Sequence, residues 1–153
     1  PMLRDQINNA LKDAMKAGEK LRLSTLRLVN AAIKNADIEA RGQGKGPLDD
    51  AALLGLLQKM IKQRQESAAQ FAAGNRPELE QQELAEAEML KAYLPAQLDA
   101  AALETLIEQA FEATGAASMK DMGKVMAWLR DRAQGQADFA VVGERVKARL
   151  ASR

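Results

Sequence analysis

The sequence predicts an all-α protein with an N-terminal four-helix portion, a C-terminal three-helix portion and no sheet. Three observations carry that expectation. Apolar residues recur at three- and four-residue steps through seven segments, no segment sustains the two-residue alternation of a strand, and Gly, Pro, Ser and Asp punctuate the gaps. The chain has 153 residues, of which 47% are hydrophobic and only 3% aromatic, so Leu, Ala, Met, Ile and Val must build the core.

The first helix spans 2–17, with Leu3, Ile7, Leu11 and Met15 on one face, and Gly18 ends it as a C-terminal glycine does. Pro1, ahead of Met2, reads as a remnant. The second helix spans 20–41 after a one- or two-residue turn, which makes the pair an antiparallel hairpin or a sharp corner. Leu26, Val29, Ile33 and Ala36 form its apolar stripe, widened by Leu21, Leu28 and Ala32. The glycine-rich loop at 42–47 superficially suggests a phosphate loop. It follows a helix rather than a strand and lacks a Gly-Lys-Ser/Thr ending, so it reads as a flexible connection.

Asp49 caps a third helix, 50–73, with Leu53, Leu54, Leu57, Met60, Ile61, Ala68 and Phe71 inward and Lys59 and Lys62 on another side. Gly74-Asn75-Arg76 breaks it, and Pro77 opens a fourth helix to about Tyr93 that buries Leu84, Ala87 and Leu90. Its five glutamates, Glu78, Glu80, Glu83, Glu86 and Glu88, read as a solvated face that also suits the helix dipole. The Tyr93-Leu94-Pro95-Ala96-Gln97-Leu98 stretch marks the boundary between a 1–95 domain and a 96–153 domain, because Pro95 takes Leu94 out of helical geometry and the composition turns Ala-rich. Asp99 caps a fifth helix ending near Gly115. Ser118 with Asp121 opens a sixth, carrying Met122, Val125, Met126 and Leu129, and Asp138 caps a seventh, carrying Phe139, Val142, Val146 and Leu150. Trp128 and Phe139 read as core.

The formal net charge of +1 conceals a strong separation of charge along the chain. Residues 1–64 hold 12 bases against 7 acids, and residues 119–153 hold 8 against 4, so basic surface is concentrated in two blocks. Lys20, Arg27, Lys34 and Arg41 stand seven apart in the second helix, a row that drifts only about 20° per heptad. Arg145, Arg149 and Arg153 follow at four-residue spacing in the last helix. Such faces can lie along a polyanion, or can simply be solvated.

The chemistry of most enzymes has no material here. There is no Cys and no His, which removes thiol chemistry, the commonest general base and the commonest metal ligand. No catalytic residue, metal site or cofactor is expected. Ser24, Ser67 and Ser118 have no imidazole to activate them. No stretch reaches membrane-spanning length and no signal-like run opens the chain, so no membrane association and a cytoplasmic setting are expected. With few aromatics to stack bases, a folded RNA gripped by its backbone suits the basic faces better than a single strand. A helical protein-interaction module is the competing reading.

Several strings together resemble the GatB/YqeY proteins. They are Lys12-Asp13-Ala14-Met15-Lys16-Ala17-Gly18, Leu23-Ser24-Thr25-Leu26-Arg27-Leu28, Ala31-Ala32-Ile33-Lys34, the 93–98 junction, and Asp121-Met122-Gly123-Lys124-Val125-Met126. The resemblance covers nearly the whole chain, in order. It implies an all-helical, two-part molecule similar to the tail of the B subunit of glutamine-dependent aminoacyl-tRNA amidotransferases, where the tail helps hold tRNA. The family's carbon–nitrogen ligase label belongs to the full-length subunit, whose catalytic domains this chain lacks. On this basis the expected partner is tRNA or another folded RNA, with an amidotransferase or aminoacyl-tRNA synthetase as the protein-partner alternative. Lys16, Arg27, Lys34 and Lys124 fall inside the matched strings, whereas Lys20, Arg41, Lys120, Arg145 and Arg149 rest on periodicity alone. Gly123 is expected to allow close helix packing, with backbone contact to a phosphate as the lesser reading.

Overall fold

A computed structural model describes residues 2–152; Pro1 and Arg153 lie outside the described residues. These residues form α1 (Met2–Ala17), α2 (Lys20–Gly42), α3 (Asp50–Ala73), α4 (Pro77–Lys91), α5 (Ala100–Thr114), α6 (Met122–Ala133) and α7 (Phe139–Ala151), with a 3-10 turn at Met119–Asp121 and no strand. The expected all-α class is borne out. Contacts divide the chain after Leu94 into two compact units.

In the first unit α1 packs on α2 and α3 on α4 around Ile7, Leu26, Val29, Leu53, Leu57 and Leu90. Gly18 makes the α1–α2 corner with φ +68°, a conformation that costs a residue with a Cβ. The α2 stripe is narrower than the sequence suggests. Leu21 and Leu28 are 39% and 51% exposed. Leu28 sits two residues from Leu26, about 200° round the helix, and so faces away from the core. Thr25 instead is fully buried, its hydroxyl donating to the Leu21 carbonyl at 2.8 Å. Met15 is also exposed, because each four-residue step advances about 40° and carries it off the Leu3 face. On α4, Leu84 is exposed and Glu86 takes a buried position, where its carboxylate lies 3.4 Å from Arg64 of α3.

The loop after α2 is held in place. Arg4 donates to both Asp37 oxygens at 2.9 and 3.2 Å and to the Leu48 carbonyl at 3.1 Å, while the Leu48 N–H donates back to Asp37 at 3.0 Å. Asp49 then accepts from the Ala52 N–H at 2.9 Å and starts α3.

In the second unit Leu103, Ile107, Phe111, Val125, Leu129, Val142, Val146 and Leu150 form the core. Its entry is fastened: Gln97 donates to the Pro95 and Gly135 carbonyls at 2.9 and 2.7 Å, and the Leu98 N–H donates to Gln136 at 2.9 Å. Asp99 caps α5 through the Ala102 N–H at 2.7 Å. A Cβ on Gly123 would meet nothing within 4 Å, so the expected packing role fails there. A glycine that does stand at a helix contact is Gly143, whose Cβ would come within 3.7 Å of Met126. Trp128 and Phe139 lie at the edge of the core, partly buried rather than enclosed.

Candidate nucleic-acid interface

Lys20, Arg27, Lys34 and Arg41 are all exposed on the continuous helix α2. At 1.5 Å of rise per residue, neighbours in the row stand about 10 Å apart along the axis, and the row extends about 32 Å. None of the four has an ion-pair partner among the described residues. The α4 glutamates do not neutralise them: Glu86 meets Arg64, and Glu88 meets Lys91 at 2.9 Å. Lys16, in the last turn of α1, is likewise exposed and without an ion pair among the described residues, four residues before Lys20 across the Gly18 corner. Arg22, off the row, is engaged: hydrogen bonding with Tyr93 chiefly raises its pKa, assisted by Glu19 at 3.6 Å.

An apolar strip runs beside the cationic row. Leu21, Leu28 and Ile38 (54% exposed) alternate with exposed Ser24, Ala31 and Asn35 at three- and four-residue steps. The sequence places the two leucines in the buried stripe; instead α2 exposes a row of cations with an apolar strip beside it.

The second unit treats its expected cations differently. Arg145 donates to Glu104 at 2.7 Å, and Arg149 lies 3.4 Å from Glu108 and 4.0 Å from Glu104, with its guanidinium 5.5 Å from the Phe111 ring. These two α7 arginines are thus matched by two α5 carboxylates, and their charge is largely spent within the unit. A shallow depression beside them is lined by Glu108, Phe111, Glu112 and Arg149, which leaves it acidic on balance. Lys124 lies 3.4 Å from Asp121, whose carboxylate accepts the Ala117 and Ser118 N–H groups at 2.8 and 3.2 Å. Those two backbone donors, more than Lys124, hold the Asp121 carboxyl below its ordinary pKa. Lys120 is exposed without an ion pair among the described residues, and Arg153 falls outside them.

Two contacts were not anticipated. Arg132 stacks on Trp128 with its guanidinium carbon 3.7 Å from the ring centroid, and Arg130 lies 5.5 Å from the Phe139 ring. The four-residue series Lys124, Trp128, Arg132 was visible in the sequence and would have placed all three on one side of α6. Among the described residues no three of His, Cys, Asp and Glu gather as a metal-ligand cluster, and no helix is long and apolar enough to cross a membrane.

The fold and this surface define a class: an all-helical protein of two units whose first unit presents uncompensated cations along one helix. The chain belongs to the family of YqeY-like proteins, whose family model matches residues 4–150. Among curated proteins it is similar to "Altered inheritance of mitochondria protein 41, mitochondrial" of Lachancea thermotolerans, 34% identical over 125 residues, 77% of this chain and 65% of the relative. The protein of the same name from Meyerozyma guilliermondii is 42% identical over 84 residues, 55% of this chain and 42% of the relative. The one from Saccharomyces cerevisiae (strain YJM789) is 32% identical over 84 residues, 55% of this chain and 44% of the relative. The chain therefore spans about two-fifths to two-thirds of the length of these relatives. Their names place them in mitochondria, which sets the relatives apart from the cytoplasmic setting expected for this chain.

Proposed function

We propose that this chain is a non-catalytic accessory protein that binds tRNA or another folded RNA through α2, in the manner of an amidotransferase B-subunit tail. The observation that carries this reading is the row Lys20, Arg27, Lys34 and Arg41, four exposed cations with no carboxylate partner among the described residues. A phosphate approaching such a row has no ion pair to break, and binding gains the entropy of the counterions it releases. Lys16 extends the patch, while Lys120 and Lys124 supply further positive charge from the second unit. Arg145 and Arg149 are secondary in this reading, since a phosphate would have to compete with Glu104 and Glu108. The role is an association with glutamine-dependent tRNA amidation, in an aqueous compartment that contains tRNA; purified chain supplied with glutamine and ATP is expected to show no turnover.

The test is bulk tRNA affinity measured across a salt series. The logarithm of the binding constant should fall steeply with the logarithm of salt, and the double variant Arg27→Glu, Lys34→Glu should bind far more weakly while keeping its helical circular dichroism. A flat salt dependence, or unchanged affinity in the variant, overturns the reading.

A second reading is supported by the exposed strip Leu21, Leu28 and Ile38, since apolar residues in line on a charged helix suit a partner helix. In that case the chain is an adaptor docking onto a protein such as an amidotransferase or a synthetase. Co-purification that survives nuclease and is lost on Leu28→Ser favours it over RNA binding.

A further inference from the structure

Lys124, Trp128 and Arg132 occupy successive turns of α6, about 6 Å apart along the axis and on one side of the helix. The Arg132 guanidinium lies over the Trp128 ring at 3.7 Å, and its Nη1 also donates to the Trp128 carbonyl at 3.2 Å, two contacts that hold the cation over the ring. Arg132 has no carboxylate partner among the described residues and remains exposed, while Trp128 is only partly buried against Leu129 and its neighbours. Shielding the edge of the core would explain some cover on Trp128. It does not require a planar, uncompensated cation there.

From this geometry we infer that Trp128 and Arg132 form a stacking platform for one unpaired RNA base, with Lys124 placed to take the phosphate beside it. The inference rests on the RNA-binding reading and deepens it, from contact with the backbone to contact with a base. Guanidinium and indole planes both stack on any base, so the platform selects unpaired over paired nucleotides rather than one base over another. Lys124 can leave Asp121 at little cost, because the Asp121 carboxylate keeps its two backbone donors at 2.8 and 3.2 Å.

Trp128 is the only tryptophan of the chain, so its emission reports on this surface alone. The experiment titrates the full chain with a short single-stranded oligoadenylate RNA and with a blunt RNA duplex of equal length, following both tryptophan emission and the anisotropy of end-labelled RNA. Saturable quenching by the single strand, weak or absent with the duplex, is the expected result. Arg132→Lys keeps the charge and removes the plane; it should lower single-strand affinity about tenfold, within the range of one base stack, and change duplex affinity less than twofold. Binding seen by anisotropy without any change in emission overturns the platform and leaves the α2 reading standing, as does an equal effect of Arg132→Lys on both RNAs. If Arg27→Glu with Lys34→Glu leaves affinity unchanged while Arg132→Lys weakens it, the platform stands and the α2 reading falls. No binding of either RNA overturns both.

Discussion

Arg4 holds Asp37 in a bidentate grip, with Nη1 2.9 Å from Oδ2 and Nη2 3.2 Å from Oδ1. The contact has a consequence for the surface as well as for the fold. Asp37 stands three residues after Lys34 and four before Arg41, the two spacings at which a helical carboxylate neutralises a cation. The Asp37 oxygens accept their hydrogen bonds from Arg4 and the Leu48 N–H, and among the described residues neither Lys34 nor Arg41 forms an ion pair, although the Arg41 charge still helps to lower the Asp37 pKa. Packing α1 against α2 thus leaves the cationic row without a direct carboxylate contact.

Asp37→Asn should loosen the α1–α2–loop junction and lower the melting temperature at neutral pH. The Arg4 side-chain hydrogen bond, then the Leu48 N–H, hold the Asp37 carboxyl below its ordinary value. A depressed pKa contributes stability that is fully present above the ordinary carboxylate value of about 4 and is lost as pH falls through the lowered one. Thermal melts of the two proteins should therefore differ at pH 7 and converge in strong acid. A constant offset across that range would contradict the assignment.

Glu86→Gln should be costly in a way that replacing both partners is not. Arg64 and Glu86 keep only 12% and 10% of their side-chain surface exposed, and Arg64 Nε makes no hydrogen bond of its own. Removing one member leaves the other charge buried and unpaired, which costs roughly 3 kcal/mol, whereas Arg64→Met with Glu86→Leu should be close to neutral. Urea unfolding of the intact chain, compared across the two variants, checks the contrast.

Leu26→Ala and Leu28→Ala, two residues apart, should separate core from surface. Leu26 is fully buried, so its truncation is expected to cost about 2–5 kcal/mol. Leu28 is half exposed, and its truncation should fall within about 0.5 kcal/mol of neutral. Equal losses in chemical denaturation would mean that the strip is covered in solution.

Neutralising the α7 arginines should matter less to RNA than neutralising α2. Arg149→Gln together with Arg145→Gln also removes two charges, but from side chains that Glu104 and Glu108 already hold, so fewer direct phosphate contacts are lost. Arg27→Gln with Lys34→Gln removes two uncompensated cations and should lower the salt slope of tRNA binding by roughly 1–2. Filter binding at several salt concentrations distinguishes the two pairs, and a larger loss from the α7 pair would reverse the ranking.

Much of the scaffold was legible in the residues. Gly18, Asp49, Pro77, Asp99, Gly115 and Asp138 act through their own backbone or the next turn, so α1, α3 and α5 begin and end, and α4 and α7 begin, within a residue of where the sequence puts them. Periodicity identified Leu26, Val29, Ile33, Val125 and Leu129 as buried, because a residue's angle round a helix follows from its position alone. It could not set how wide an arc each neighbour covers. Leu21, Leu28, Met15 and Leu84 therefore turned out exposed, while Thr25 and Glu86 went inside.

What the chain determined by itself is the order of its helices and which side chains share a face, since both depend on interactions within a few residues. Which charges remain available was decided only by tertiary packing, because an ion pair needs a partner brought from elsewhere in the chain. Arg4 reaches Asp37 from 33 positions away, and Arg145 reaches Glu104 from 41. One contact leaves the α2 row open and the other closes the α7 arginines, though all of these cations look alike in the sequence.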